Sequence, residues 1–238
     1  MRQHRYVPEA GITRRDALLL LGASMLAGRT AAQAAPARPA CIVTPEQTEG
    51  PYFADVRLNR ADIRSDPADG TVKPGIPLAL TLRVHAVEGG ACTSLPGAVV
   101  DIWHCDANGV YSDAMDAGFD TRGKAFLRGY QVTDASGMVR FTTIYPGWYP
   151  GRAVHVHFKV RAKSRAGRDL EFTSQLYFPD IINERVLAVA PYARPGGRAL
   201  RNENDGLYRR GGRSLMLDVA NAPGDGYTGN FEVGITLA

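Results

Sequence analysis

Short segments that alternate between apolar and polar residues constrain the fold of this 238-residue chain more than any other feature. In residues 78–87, apolar residues occupy every second position and alternate with Thr81, Arg83 and His85, and two glycines follow at 89 and 90. A period of two places the apolar side chains on one face of a strand, and paired glycines indicate a turn. Several such segments, separated by turn residues, predict an all-β fold, a β-sandwich with little helix.

The predicted strands cover most of the chain after residue 77. They are 78–87, 98–103, 129–133, 139–143, 154–162, 171–178, 214–219 and 230–236. Residues 134–137 are expected to form a hairpin loop between the third and fourth strands, and one short helix is expected within 179–190. Hydrophobic residues make up 45% of the chain, which is enough to fill the core of a single domain of this size.

Two histidines set the fifth predicted strand apart from the others. His155 and His157 are separated by one residue in the sequence Arg-Ala-Val-His-Val-His-Phe, so both imidazoles project from the same face of the strand. Neutral imidazole is the commonest metal ligand, and the pair can therefore form a two-point clamp for a metal. The alternative is an ordinary half-polar strand face with no metal.

The histidine pair needs further donors to complete a metal site. The other three histidines are poor candidates because they lie in the N-terminal leader or on separate segments: His4, His85 and His104. There is no Cys-x-x-Cys motif and no acidic cluster to help, but Tyr111, Tyr145 and Tyr149 precede the pair. Anionic phenolate oxygen suits a hard trivalent cation, which favours iron(III) over zinc. A zinc or copper hydrolase or oxidase built on the histidine pair is the alternative.

Five segments occur in an order and spacing that are typical of one enzyme family: 44–53, 103–113, 143–149, 152–158 and 175–179. Together they closely resemble the intradiol ring-cleavage dioxygenases, which include catechol and protocatechuate dioxygenases. The resemblance covers most of the chain beyond the leader. It implies a prealbumin-like or immunoglobulin-like β-sandwich with long active-site loops and a non-haem Fe(III) cofactor. It also implies that O2 is inserted into a catechol-type aromatic diol, which is cleaved between its two hydroxyls to a muconate-type diacid.

The family pattern can be carried over residue by residue. It makes Tyr111, Tyr149, His155 and His157 the four protein ligands of the iron. Tyr149 would also act as a base when it leaves the metal on substrate binding. Tyr145 occupies a variable place in the same segment, so a packing role is expected for it.

Three further residues match family positions that act on the substrate. Arg152 is expected to stabilise negative charge that develops during the reaction. Gln175 and Pro51 are expected to line the substrate-binding site. Gly151 stands where protocatechuate enzymes commonly have tryptophan, so the resemblance does not transfer protocatechuate specificity. A prealbumin-like binding module without catalytic activity is the alternative to an enzyme of this family.

The first 34 residues have the organisation of an export signal. Arg14 and Arg15 precede an apolar run over 17–27, and small residues follow up to residue 35. We predict a signal peptide at 1–34 that uses the twin-arginine route, a mature domain at 35–238 and a periplasmic or secreted enzyme. A general secretory signal is the alternative, and the apolar run is too short to anchor the chain in a membrane.

The charge balance argues against nucleic acid as a partner. The chain has a net charge of +4, but the leader carries five arginines against two acidic residues, so the predicted mature domain is nearly neutral. No cluster of basic residues indicates a nucleic-acid-binding surface. The expected partners are the small aromatic diol and O2, and self-association into a homo-oligomer is left open.

Export to an oxidising compartment changes the expectation for the three cysteines. Cys92 and Cys105 flank one short segment and can form a bridge, whereas Cys41 can pair with either of them. One structural disulfide and one free thiol are therefore expected.

Overall fold

The structure is a computed structural model that describes residues 42–195, 197 and 199–237. The predicted signal peptide at 1–34 lies outside the described residues, as does Cys41. The export route and the cleavage position therefore stay predictions.

Most of the secondary structure in the described residues is β-strand. The strands in chain order are β1 (Pro77–Glu88), β2 (Ala91–Ser94), β3 (Val99–Trp103), β4 (Met115–Asp116), β5 (Phe119–Asp120), β6 (Arg128–Val132), β7 (Met138–Ile144), β8 (His155–Lys163), β9 (Asp169–Tyr177), β10 (Asp218–Ala222) and β11 (Gly226–Ile235). The α-helix α1 (Asp180–Leu187) confirms the helix expected within 179–190, and short 3₁₀ turns cover Asn202–Asn204 and Gly212–Leu215. No helix in the described part of the chain has the length and apolar character needed to cross a membrane.

Two sheets share one apolar core. The larger sheet has the strand order β10-β11-β1-β2, with β7 also paired to β1, and the smaller sheet has the order β6-β3-β8-β9. Strand β1 pairs in parallel with β11 and antiparallel with β2 and β7. Strands β4 and β5 form a separate two-stranded hairpin. The prediction of an all-β sandwich is confirmed.

Alternation along β1 and β8 explains where the core lies. Leu80 and Leu82 of β1 and Val156 and Phe158 of β8 are all 0% exposed and belong to one core cluster. Burial of each such side chain stabilises the fold by roughly 1.5–3 kcal/mol relative to leaving it exposed. Because these residues of β8 fill the core, the alternate residues of β8 face the outer side of the smaller sheet. That outer side carries both histidines.

The sequence predicted that 129–133 and 139–143 pair as a hairpin, and this pairing is wrong. Strand β6 pairs with β3 in the smaller sheet, whereas β7 pairs with β1 in the larger one. The predicted turn does form, because Gly137 N donates to Asp134 O at 2.8 Å. Gly137 has a φ of 77°, and a Cβ there would lie 2.4 Å from the Val84 carbonyl oxygen. The turn therefore carries the chain from one sheet to the other.

Other differences from the predicted strands are local. The strand predicted at 214–219 begins only at Asp218, because Gly212–Leu215 forms a 3₁₀ turn. Strands β2, β4 and β5 were not predicted, since they have only two to four residues and are mostly exposed. Short exposed strands lack the apolar alternation from which a strand is predicted.

The structure tests the cysteine pairings that the sequence left open. Cys92 is disulfide-bonded, whereas Cys105 is a buried free cysteine. A Cys92–Cys105 bridge is therefore excluded.

Candidate metal centre

Strand β8 presents two histidines on the outer side of the smaller sheet. His155 and His157 are each only 2% exposed, and their Nε2 atoms lie 3.0 Å apart. His155 Nδ1 lies 2.7 Å from the Ala153 carbonyl oxygen. That contact places the proton on Nδ1, so Nε2 presents its lone pair to the site.

Two loops bring tyrosine hydroxyls to the same place. The hydroxyl oxygens of Tyr111, which follows β3, and Tyr149, which precedes β8, lie 3.4 and 3.3 Å from His155 Nε2. The two loops touch at Gly109, where φ is 79° and a Cβ would lie 2.2 Å from the Trp148 carbonyl oxygen. The structure thus brings together all four residues predicted to be ligands, and their ligand role stays a prediction.

The chemistry of this donor set fits a bound cation. Four polar atoms lie within 3.0–3.4 Å of His155 Nε2, from Tyr111, Tyr149, Arg152 and His157. The single lone pair of His155 Nε2 cannot make a hydrogen bond with each of these four neighbours. A cation among the two imidazole nitrogens and the two phenol oxygens would instead accept a lone pair from each of them. In the part of the chain that the structure describes, no group of three or more His, Cys, Asp or Glu could hold a metal. A metal bound at this place therefore needs the tyrosines.

Burial sets the protonation states of these four groups. It lowers the pKa of His155 to about 3, with a further contribution from Arg152, and it lowers the pKa of His157 well below its ordinary value. Both imidazoles are therefore neutral at pH 7 and able to donate lone pairs. Burial raises the pKa of Tyr111 and of Tyr149, and the Arg152 charge works in the opposite direction. A bound cation would favour both phenolates.

The guanidinium of Arg152 borders the site and is held from several sides. Its Nη1 lies 3.3 Å from His155 Nε2 and 3.5 Å from the Tyr149 hydroxyl oxygen. Its Nη2 donates to Gln175 Oε1 at 2.5 Å, and its Nε donates to Asp205 Oδ2 at 2.8 Å. Arg152 therefore has a fixed orientation beside the donor set.

Asp205 is a site residue that sequence reasoning missed. Its side chain is almost fully buried, and it accepts hydrogen bonds from Arg152 Nε, Ala153 N and Leu207 N. It lies in an arginine-rich stretch of loops and turns, 53 residues after Arg152. No motif or periodicity marks it, because its role depends on a contact between distant parts of the chain.

Gln175 and Pro51, predicted to bind substrate, occupy different surroundings. Gln175 is 0% exposed, and besides its bond from Arg152 its Nε2 donates to Thr48 O at 2.9 Å. Its polar atoms are thus engaged by protein, which gives it a part in holding Arg152. Pro51 is exposed and lies between Gly50 and Tyr52. Substrate contact by either residue stays a prediction.

Residues 44–56, here called the covering segment, lie over the outer side of the smaller sheet. A Cβ at Gly50 would lie 3.4 Å from His157 Cε1, so this backbone approaches the histidine closely. Tyr52 stacks on Tyr111 with ring centroids 4.5 Å apart, and its hydroxyl donates to Asp116 Oδ2 at 2.5 Å. The covering segment therefore explains why outward-facing histidines are buried.

Aromatic rings also enclose the site on the side of β3. Trp103 stacks on His157 with centroids 4.9 Å apart and an interplanar angle of 9°, and Phe53 packs on Trp103 at 4.9 Å. Tyr145 lies elsewhere, packed on Phe178 with its hydroxyl bonded to Asn183 Oδ1 at 2.7 Å. It has the packing role that was expected of it.

A protein-family model also matches the chain. The model, described as a dioxygenase, matches residues 48–193, more than half of the chain. The matched range contains the histidines, both site tyrosines and Arg152.

Individual relatives agree with the family match. Chlorocatechol 1,2-dioxygenase of Pseudomonas putida is 30% identical over 199 residues, covering 73% of this chain and 66% of that relative. An intradiol ring-cleavage dioxygenase structure from Tetranychus urticae is 32% identical with a TM-score of 0.69, covering 82% of this chain and 95% of that one. The dioxygenase domain of a dioxygenase carbohydrate-binding fusion from Streptomyces sp. SirexAA-E is 33% identical with a TM-score of 0.59, covering 83% and 100%. The chain thus spans just under two thirds of the length of the curated relative.

Proposed function

Since this chain belongs to the family of intradiol ring-cleavage dioxygenases, we propose that it uses O2 to cleave a catechol-type diol between its two hydroxyls. The product is a muconate-type diacid, and the cofactor is non-haem Fe(III) held by Tyr111, Tyr149, His155 and His157. The observation that carries this proposal is the convergence of two phenol oxygens and two imidazole nitrogens on one buried point.

Tyr149 is the proposed base of the reaction. When bound, iron(III) would supply Lewis acidity and a template for the diol. The Tyr149 oxygen lies within the donor set and would accept one proton from a hydroxyl of the diol. Burial raises the pKa of this phenol, so the Tyr149 oxygen would retain a proton that it accepts.

Arg152 is the proposed source of positive charge beside the substrate. Its side chain is anchored by Asp205 and Gln175, so it needs no rearrangement when negative charge develops nearby. Fixed charges of this kind contribute most in sites from which water is excluded. The covering segment and Trp103 provide that exclusion on the side of the histidines.

We also propose that the chain acts outside the cytoplasm. The support is the order of paired arginines, apolar run and small residues within 1–34. Cell fractionation of the full chain and of a double variant with Arg14→Lys and Arg15→Lys tests the route. Retention of the double variant in the cytoplasm is expected, and unchanged export would favour the general secretory alternative.

The decisive experiment on the activity combines metal analysis with product analysis. The protein loaded with Fe(III) should be reddish, because phenolate-to-iron charge transfer absorbs visible light. It should consume O2 with catechol, and the ultraviolet spectrum of the product should be that of a ring-opened diacid. A protein that stays colourless with iron and consumes no O2 with any diol would favour the binding module, and bound zinc or copper would favour a different metalloenzyme.

His157→Ala provides the matched variant for that experiment. Removal of the His157 imidazole, a ligand proposed to stay on the metal throughout, should abolish both iron retention and turnover. His85→Ala is a suitable control, because His85 lies on β1 beside Glu232, away from the donor set. Full activity in His157→Ala would remove the proposed ligand set.

A further inference from the structure

Arg128 is a buried cation that forms no close ion pair with a carboxylate of the described residues. It begins β6 and is only 2% exposed. Its Nε donates to Ser112 Oγ at 2.7 Å, and its Nη2 donates to Tyr52 O at 3.1 Å and to Ser112 O. Its Nη1 is buried with no hydrogen-bond partner. Burial lowers the pKa of Arg128, and negative charge on Asp113 and on Tyr111 acts in the opposite direction. A buried charge left in this state is costly unless something compensates it.

The residues that Arg128 contacts lie next to Tyr111, one of the proposed iron ligands. Ser112, which accepts two of its hydrogen bonds, directly follows Tyr111, and Tyr52, which accepts the third, stacks on the Tyr111 ring. In the smaller sheet Arg128 is also in register with Trp103, which is in register with His157. Arg128 therefore touches the residue after Tyr111 and the residue stacked on it.

The backbone before Arg128 indicates that its placement is tightly constrained. Leu127 is 0% exposed and has a φ of 55°, a conformation that bulky side chains rarely adopt. Its N donates to Ile63 O at 2.7 Å, and its carbonyl accepts from His104 N at 3.2 Å. Strain of this kind persists only where the surroundings enforce it, and it concentrates near functional sites.

We propose that Arg128 is a positioning residue for Tyr111, and that its buried positive charge stabilises the anionic phenolate and keeps it on the metal. This inference rests on the proposed Fe(III) site. The phenolate, which exists only when the metal is bound, then adds to the compensation of the Arg128 charge that Asp113 provides. Burial lowers the pKa of Arg128 to about 10, so the charge is present at neutral pH.

The experiment compares iron-loaded Arg128→Gln and Arg128→Lys with the unchanged protein. Without the positive charge of Arg128, the filled phenolate orbital of Tyr111 rises in energy toward the iron orbital. The phenolate-to-iron charge-transfer band of Arg128→Gln should therefore move to longer wavelength. Iron should also be lost to a chelator about tenfold faster, the effect of one charged hydrogen-bonding group. Arg128→Lys restores the charge and should restore both properties at least in part.

A matched control removes an arginine that has acidic partners. Arg161 lies on β8 and forms ion pairs with Asp55 and Asp101. Arg161→Gln should leave the band and the rate of iron loss unchanged. The inference is overturned if Arg128→Gln keeps both properties, or if Arg128→Lys behaves like Arg128→Gln.

Ser112→Ala keeps the inference testable if Arg128→Gln does not fold. This variant removes the hydroxyl that accepts from Arg128 Nε but leaves the charge in place, so the band should not move. A shift to longer wavelength in Ser112→Ala would overturn the role of charge. Failure of the proposed function is distinguishable, because the unchanged protein would then show no visible band with iron at all.

Discussion

The two tyrosines of the site lie at nearly equal distances from His155 Nε2, yet the chain holds them differently. Tyr111 is 1% exposed and stacks on Tyr52, whose carbonyl accepts a hydrogen bond from Arg128. Arg128 forms no close ion pair with a carboxylate of the described residues. Tyr149 is partly exposed and lies beside Arg152, whose charge is balanced by Asp205. Equal distances therefore do not mean equal roles. We propose that Tyr111 stays in place, whereas Tyr149 moves when it acts as the base.

The largest effect should come from removing one hydroxyl at a time. Tyr111→Phe should lose most of its iron, because it deletes the fixed ligand. Tyr149→Phe should keep iron through the other three ligands but lose turnover by at least about a hundredfold, the usual contribution of a proton acceptor. Iron content and steady-state O2 uptake measure the two properties. Equal iron loss in both variants would break the comparison.

A smaller effect is expected from the charge beside Tyr149. Arg152→Ala should keep iron and colour but slow turnover roughly a hundredfold, since it removes a fixed charge near the reacting atoms. Asp205→Asn leaves the guanidinium in place but loosens it, so a loss of about tenfold is expected. Stopped-flow kinetics at saturating diol measures both. Unchanged turnover in Arg152→Ala would show that its charge does not act on the reaction.

The buried imidazole of His104, which follows Trp103 in the chain, should make the stability of the fold depend on pH. Burial lowers the pKa of His104 to about 4, while its Nδ1 and Nε2 contact Cys105 O and Thr143 Oγ1 at 2.8 and 2.7 Å. The unfolded chain takes up this proton below about pH 6.5, so stability is fully present above that pH and falls as pH drops toward 4. The free energy of unfolding should fall by about 2 kcal/mol between pH 6.5 and 5 from this group alone.

Urea unfolding of the unchanged protein and of His104→Gln measures that contribution. The variant cannot titrate at this position, so its stability should fall less over the same pH range. All other titrating groups are shared and cancel in the difference. Identical pH dependence in the two proteins would contradict the prediction.

The smallest effect is expected from changing Asp116, the hydrogen-bond partner of the Tyr52 hydroxyl. The Tyr52 hydroxyl donates to Asp116 on the exposed hairpin β4–β5, and exposed polar pairs contribute little. Asp116→Asn should therefore change kcat/KM for catechol by no more than about twofold. A change of tenfold or more would place the hairpin in the substrate-binding site.

The parts of this molecule that could be predicted from sequence are those encoded locally. Alternation along β8 fixes which residues fill the core, so the common face of His155 and His157 follows from their spacing alone. The tyrosine positions followed from the resemblance to a family, and the structure brings them to the histidines. The helix at Asp180–Leu187 and the turn at Asp134 were likewise visible in short segments.

What escaped prediction depends on contacts between distant segments. The turn at Asp134 showed that the chain reverses but not that β6 and β7 enter different sheets. Asp205 acts on Arg152 across 53 residues, and Arg128 acts through backbone carbonyls that any residue type could supply. No sequence pattern marks such partners, because the information lies in the assembled fold.

The covering segment also affects when the centre can form during synthesis. Thr44 exchanges two hydrogen bonds with Gly234 of β11, each 2.8 Å long, across a separation of 190 residues. Strand β11 is in turn the parallel neighbour of β1. A nascent chain therefore cannot fix the covering segment over its histidines until β11 has left the ribosome. Enclosure of the proposed metal centre is therefore expected only after β11 has been synthesised.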